Sequence, residues 1–326
     1  MAGGVGEGPA APAGSPSRPP LLVVCGPTAA GKTGLAVRLA IALGATGVPA
    51  EVISADSRQV YRGMDVGTAK PTLDERRGVP HHALDLVDPD DPFSVADFAA
   101  HAARALAGIA ARRGVAILAG GTGLWIRAVA DGLALDELPH DAVVRAALEG
   151  ELAAGGPAPL AARLRALAPA RAAHVDLHNP RRVVRALEIA TILGDGEPPA
   201  ARGYPAPVLR FGLDLADRAL HGRWIAVRAA AQLDGGILGE AARLRARYPE
   251  TLPAFSAIGY REAFDLLDGR LDRSGYLAVN VRRNLQFARR QRTWLRPDTR
   301  IRWLDPSAGD PLPAVLAAAR TIIGGG

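Results

Sequence analysis

The 326-residue sequence is poor in cysteine, poor in lysine and without long apolar runs, and each shortage excludes something. With one cysteine, Cys25, no internal disulfide can form; its place in a short apolar run predicts burial and fits a reducing, cytoplasmic setting. No apolar stretch reaches the length of a membrane span, and Leu21 to Cys25 is too short for a signal-peptide core, so a soluble protein with no membrane partner is expected. Lysine occurs only at Lys32 and Lys70, every other cation being arginine. The balance of 39 Lys+Arg against 33 Asp+Glu leaves +6, an excess that matters only where it is clustered. Residues 1–19 consist mostly of Gly, Ala, Pro and Ser and are expected to form a disordered leader, because they bury too little to order themselves. The remainder is long enough for a main domain with an insertion.

What is present is organised around Gly26-Pro27-Thr28-Ala29-Ala30-Gly31-Lys32-Thr33, which matches G-x-x-x-x-G-K-[ST] at every fixed position. Leu21 to Cys25 before it reads as a buried strand, and Gly34 to Leu43 after it places Leu35, Leu39 and Leu43 on one helical face. Backbone N–H groups in such a loop at a helix N-terminus bind phosphate oxygens. Lys32 adds a positive charge, and Thr33 offers a hydroxyl suited to Mg2+, a hard cation that keeps oxygen ligands. The chain therefore binds a phosphate or diphosphate.

Further along, Glu51 to Ser54 predicts a second strand that ends in Ala55-Asp56-Ser57-Arg58-Gln59, a place where open α/β sheets bind ligands. Met64 to Pro71 and Pro80 to Pro92 read as irregular loops. Ser94 caps a helix running to about Arg113, and Val115 to Ala119 is a third buried strand, followed by Gly120-Gly121-Thr122-Gly123. From 134 to 206 only short Ala/Leu/Arg helices broken by Gly and Pro appear, after which Val208 to Leu213 restores strand character. Helices are expected from about Asp217, Ile237, Phe255 and Asp272, then a strand at Arg300 to Leu304 and a helix from Pro311 to Ile323. The pattern predicts a P-loop NTPase-like α/β fold: a parallel sheet flanked by helices over 20–133 and 207–326, with an all-helical insertion at 134–206.

Two features carry chemistry beyond the loop. Ordinary phosphate-loop ATPases place an Asp at the end of a later strand to hold Mg2+; here that strand ends in Gly-Gly-Thr, leaving Asp56 as the carboxylate nearest in sequence, a Mg2+ group, a general base or a plain turn residue. From Tyr276 to Trp303, Arg282, Arg283, Arg289, Arg290, Arg292, Arg296, Arg300 and Arg302 stand against Asp298 alone, with Phe287, Trp294 and Trp303 between them. Guanidinium groups grip phosphates and aromatics stack on bases, so this stretch reads as a nucleic-acid surface; a solvated helix face normally mixes both signs. Arg181, Arg182 and Arg185 form a second basic group in the insertion. His174 and His178 lack a third ligand and read as ordinary histidines.

Taken together, these residues resemble the tRNA dimethylallyltransferase family, also called isopentenyl-tRNA transferases, from Leu21 to about Leu304. The resemblance rests on GPTAAGKT (Gly26 to Thr33), ISADSRQVYRGMDVGTAKP (Ile53 to Pro71), PHHALDLVDPDDPFSVADF (Pro80 to Phe98), AGGTGLWIRAV (Ala119 to Val129), NPRRVVRALEI (Asn179 to Ile189), SAIGYRE (Ser256 to Glu262) and RRQRTWLR (Arg289 to Arg296), in the family's order. It implies transfer of a dimethylallyl group from dimethylallyl diphosphate to the exocyclic N6 of the adenosine 3′ of the anticodon, in tRNAs that read codons beginning with U. It implies Asp56 as the base, Thr33 on Mg2+, Thr122 on the target nucleotide, and the loop Gly26 to Thr33 with Arg228 on the diphosphate. Asp56, Ser57, Arg58 and Gln59, Arg145, Arg181, Arg182, Val183, Val184 and Arg185, and Ser256, Ala257, Ile258, Gly259, Tyr260 and Arg261 match its tRNA-binding positions, with the insertion closing on the anticodon stem-loop. A monomer is expected. Trp224 stands where the family has the first Arg of Arg-Ile-x-x-Arg, and Asn284-Leu285 where it commonly has Thr-Arg. A small-molecule kinase, which would leave the arginine-rich segment unexplained, and an RNA-binding relative without donor binding are the rival readings.

Overall fold

The computed structural model describes residues 18–196 and 199–323. The expected disordered leader lies outside the described residues as far as position 17. Arg18 and Pro19, the last two residues of that expected leader, are placed: Arg18 donates to the Ala103 carbonyl at 2.7 Å and Tyr204 Oη donates to the Pro19 carbonyl at 2.8 Å. The chain divides into two compact units, one of the residues up to Asp131 and from Tyr204 on, the other Gly132–Gly203.

The strands of the first unit are β1 (Leu21–Cys25), β2 (Ala50–Ala55), β3 (His81–His82), β4 (Val115–Gly120), β5 (Val208–Leu213) and β6 (Ile301–Leu304). They form one sheet in the order β3-β2-β4-β1-β5-β6, every pairing parallel. Its helices, numbered through the whole chain, are α1 (Lys32–Gly44), α2 (Leu73–Arg76), α3 (Val95–Ala111) and α4 (Gly123–Ala130), then, after four in the second unit, α9 (Arg218–Asp234), α10 (Ile237–Arg245), α11 (Tyr260–Leu267), α12 (Arg273–Leu295) and α13 (Leu312–Ile323). Alternate residues of β1 serve two cores: Leu21, Val23 and Cys25 pack with Phe98, Trp125, Ile237, Tyr260 and Tyr276, while Leu22 and Val24 pack with Leu35, Leu39, Leu43 and Val315. Because helices cover both faces, a strand with no polar alternation is what a parallel sheet requires.

The second unit holds α5 (Ala142–Gly155), α6 (Pro157–Leu167), α7 (Pro169–Ala173) and α8 (Pro180–Leu193), and has no strand among the described residues. Leu148, Leu160, Leu164, Val183 and Leu187 make its core.

Two expectations shift and one holds. The Pro80 to Pro92 loop contributes the two-residue edge strand β3, paired to Val52 and Ile53, which is too short for any periodicity to reveal. The helix expected from Phe255 is a 3-10 turn, Pro253–Ser256, and α11 starts only after Gly259, whose φ of 110° breaks the path. The capping of α3 by Ser94 is reciprocal with Asp97 and holds as read.

Candidate functional site

Strands β1, β4 and β2 are neighbours, and the register pairs Cys25 and Ala55 each with Gly120, so their carboxyl ends stop at one level. The phosphate loop, Asp56 and Thr122 all leave the sheet there. Gly26 opens the loop at φ 137°, where a Cβ would stand 2.2 Å from the Leu213 carbonyl oxygen, so no other residue fits. Gly31 at φ 83° then turns the chain into α1.

The loop is braced from within and from two helices. Lys32 Nζ donates to the Pro27 carbonyl at 2.7 Å. Thr28 is buried, and each of its polar groups is held: its N–H donates to Gln291 Oε1 at 2.7 Å, its carbonyl meets His221 Nε2 at 2.8 Å, and its hydroxyl accepts from Arg228 Nη2 at 2.6 Å. Of the loop Gly26 to Thr33 expected to offer N–H groups, Pro27 has none and that of Thr28 is donated to Gln291.

Burial pushes Lys32 down to about 8; Asp56 pulls it back up and Arg228 pushes it further down, so the three charges share one electrostatic neighbourhood. Burial also lowers Arg228, against Asp56. Arg228 Nε is buried with no hydrogen-bond partner among the described residues, and Nη2 reaches Asn284 Oδ1 at 3.1 Å as well as Thr28. A buried guanidinium atom without a partner costs free energy that a bound anion would recover. Thr33 is exposed on the first turn of α1. Burial pushes the Cys25 thiol up to about 12, which removes it from thiolate chemistry.

Asp56 is half-buried, and its Oδ1 accepts from the Arg58 N–H at 2.9 Å. Thr122 Oγ1 accepts from the Ser57 N–H at 3.1 Å, which ties the two strand ends together. Arg58 spans to the 3-10 turn, donating to the Pro253 carbonyl at 3.1 Å and to Ser256 Oγ at 2.9 Å. Arg283 of α12 pairs with Glu262 and donates to the Ser256 carbonyl at 3.3 Å. Asp56 to Arg58, Thr122 and Ser256 are thus linked in one unit of the fold.

Several of the other side chains expected to bind RNA are turned inward. Gln59 is buried, accepting from Ser54 Oγ at 2.9 Å and donating to the Thr68 and Ala69 carbonyls at 3.3 and 3.1 Å. Tyr260 is fully buried with its hydroxyl on Glu240 at 2.7 Å; Ala257 and Gly259 are buried, Ile258 is half-buried, and Arg261 is exposed. In the second unit Val183 and Val184 belong to the core. Arg145 and Arg185 converge on buried Glu188 at 2.5 and 2.7 Å, whereas Arg181 is exposed and Arg182 lies 3.7 Å from Asp176.

The reading of the arginine-rich segment as one basic surface is corrected in the same way. Arg292 and Arg296 bind Asp214 at 2.8 and 2.7 Å, Arg283 binds Glu262, and Arg300 binds Asp298 and Asp131 at 2.7 and 3.0 Å. Arg282, Arg289 and Arg302 are left without an acidic partner among the described residues, and Arg290 lies over the Phe287 ring. Apart from Asp298, the acids that neutralise the others, Asp214, Glu262 and Asp131, are distant in sequence. Lys70 is likewise internal, its ammonium on the Tyr61 carbonyl, Asp65 and Asp85. Among the departures, Trp224 packs against the core beside α1, and Asn284 hydrogen-bonds Arg228.

Two residues with clear roles went unassigned. Gln291 lies inside the RRQRTWLR stretch, where its neighbours' charge draws the eye. Glu240 accepts from the Asp65, Val66 and Gly67 N–H groups at 2.9, 2.8 and 3.0 Å and from Tyr260, clamping the loop at 64–71; a lone acid on a helix gives no signal of this.

Residues 59–298 match the family model described as IPP transferase. The chain is 46% identical over 299 residues to a tRNA dimethylallyltransferase of Anaeromyxobacter sp. (strain K), covering 88% of this chain and 93% of that one. It is similar in structure to a tRNA isopentenylpyrophosphate transferase of Bacillus halodurans, at TM-score 0.67 and 36% identity over 93% of this chain and 95% of that one. A eukaryotic dimethylallyltransferase acting on tRNA aligns at TM-score 0.74 and 25% identity, over 93% of this chain and 78% of that one.

Proposed function

The chain belongs to the IPP transferase family, and from that premise we propose that it transfers a dimethylallyl group from dimethylallyl diphosphate to tRNA, at N6 of the adenosine 3′ of the anticodon. The observation that carries this reading is the buried Arg228 Nε, without a partner among the described residues, beside the phosphate loop and within electrostatic reach of both Lys32 and Asp56. An anion cradle set against a carboxylate suits a reaction in which an anion departs while a proton is removed.

In that reaction the N6 lone pair attacks C1 of the dimethylallyl group, the bond from C1 to the diphosphate oxygen breaks, and the N6 proton passes to Asp56. An exocyclic amine is a weak nucleophile, so a carboxylate that takes its proton lowers the barrier. The Ala29 to Thr33 N–H groups, Lys32 and Arg228 hold the charge that accumulates on the leaving diphosphate. The hydroxyl of exposed Thr33 fits Mg2+, which takes one or two protein oxygens and fills its shell from phosphate and water, and the ion would add positive charge at the leaving group. Thr122, fixed by the Ser57 N–H, positions the target nucleotide next to Asp56. The adenine must leave its stack to reach this depth. Arg58, Ser256 and Arg261, the exposed Arg282 and Arg289, and Arg181 and Arg182 of the helical insertion are assigned to the anticodon stem-loop. We assign the protein to the cytoplasm, as a monomer.

Incubation of the purified chain with labelled dimethylallyl diphosphate and unmodified tRNA tests this. Label recovered as N6-dimethylallyladenosine after digestion is the expected result; label absent from tRNA, or phosphate moved to a small acceptor, overturns it.

A further inference from the structure

Gln291 is 7% exposed and sits on α12, far in sequence from both loops it joins. Its Oε1 accepts from the Thr28 N–H at 2.7 Å and its Nε2 donates to the Gly121 carbonyl at 3.1 Å. Both ends of one amide are thus committed, one to the phosphate loop after β1 and the other to the residue before Thr122 after β4. Gly121 makes room for it: a Cβ there would stand 2.1 Å from Gln291 Nε2. The next residue of α12 reinforces the same point. Arg292 is fixed by Asp214 and contacts His221 Nδ1, and His221 Nε2 meets the Thr28 carbonyl at 2.8 Å. Since Nδ1 faces a guanidinium donor, the ring is held neutral with its proton on Nε2, donated to Thr28; burial lowers its pKa in the same sense.

We propose that Gln291 is a positioning residue for the donor: through Thr28 it fixes the phosphate loop against the Gly121-Thr122 turn, so the diphosphate cradle and the acceptor contact are held at a set separation. The proposal rests on the function read above. It follows from satisfiability. Thr28 cannot turn its N–H toward the diphosphate while Gln291 holds it, and the Arg228 side chain, aligned by the Thr28 hydroxyl, moves with any shift of that residue. In-line transfer is sensitive to small displacements of either partner. Gln291 itself, buried and engaged at both ends of its amide, is assigned no RNA contact.

The test is Gln291→Met, which keeps the volume and loses both hydrogen bonds, measured in the full chain beside Gly121→Ala, which dislodges the amide from the other side. Loss of the pair leaves the buried Thr28 N–H unsatisfied, so inorganic diphosphate with Mg2+, titrated by calorimetry, is expected to bind about tenfold more weakly, and KM for dimethylallyl diphosphate to rise alike. KM for tRNA, and tRNA affinity by filter binding, are expected within about twofold of wild type. A folded Gln291→Met protein with wild-type diphosphate affinity and donor KM overturns the proposal. So does weakened tRNA binding with the donor constants unmoved, which would make Gln291 an RNA contact. Because diphosphate affinity is read without turnover, this outcome is separate from whether the wild-type chain transfers a prenyl group at all.

Discussion

Arg228 reaches across from α9 to the phosphate loop, its Nη2 2.6 Å from Thr28 Oγ1, while its Nε lies buried with no acceptor among the described residues. The guanidinium is half used by the protein and half left over. Replacing it by glutamine keeps much of the length and removes the charge. Arg228→Gln is expected to raise KM for dimethylallyl diphosphate by roughly 10- to 100-fold, the weight of a charge-assisted hydrogen bond to a phosphate. Steady-state kinetics with the donor varied will read this, with tRNA affinity as the control that should stay put.

Lys32 is held down to about 8, with burial the largest cause. Below that pH it carries the charge a diphosphate needs; above it the free protein is increasingly neutral there. Diphosphate affinity should therefore fall as pH rises through about 8, and a bound anion, favouring the charged form, should draw a proton onto the protein near that pH. Calorimetry in two buffers of different ionisation heat measures the uptake. A pH-independent affinity between 7 and 9 would contradict it.

Glu240 is 2% exposed and satisfies the Asp65, Val66 and Gly67 N–H groups together with the Tyr260 hydroxyl. Glu240→Ala removes the acceptor for all of them at once. The expected loss is about 3 kcal/mol of unfolding free energy, from several buried donors left open. Urea denaturation gives the value, and limited proteolysis should cut first within 64–71.

In the second unit, burial would raise Glu188, yet Arg145, Arg185 and His140 bring it down to about 2. A carboxylate lowered on folding contributes stability that is whole above the ordinary glutamate range and is lost as pH falls from there toward about 2. Circular dichroism against pH should show helix loss in that window, and Glu188→Gln should flatten the dependence while lowering stability at neutral pH. A variant as acid-sensitive as wild type would remove Glu188 from the account.

The sequence made the ligand-bearing frame readable because β1, the loop and α1 are contiguous: one apolar run, two glycines that must adopt positive φ, and a helix with Leu35, Leu39 and Leu43 on one side. Strand β3 was hidden by its two-residue length. The arginine-rich segment misled because its partners, Asp214, Glu262 and Asp131, come from other elements and only the fold brings them close. Gln291 and Glu240 escaped for the same reason: an amide or a lone acid on a helix has no local pattern, and its worth lies in which distant backbone groups it meets. Asp56, at the end of β2, was legible as a polar residue at a strand terminus, and Thr122, just past β4, through the resemblance of its Gly-Gly-Thr stretch to the family.

In the proposed reaction Asp56 takes the proton from the adenine amine while the phosphate loop holds the diphosphate. The most direct measurement of that step is single-turnover prenyl transfer by Asp56→Ala with saturating donor and tRNA, the product quantified by mass spectrometry of the tRNA nucleosides. Loss of a positioned general base predicts a rate lower by about 10²- to 10⁴-fold with tRNA and diphosphate affinities preserved. Transfer at the wild-type rate would contradict the account.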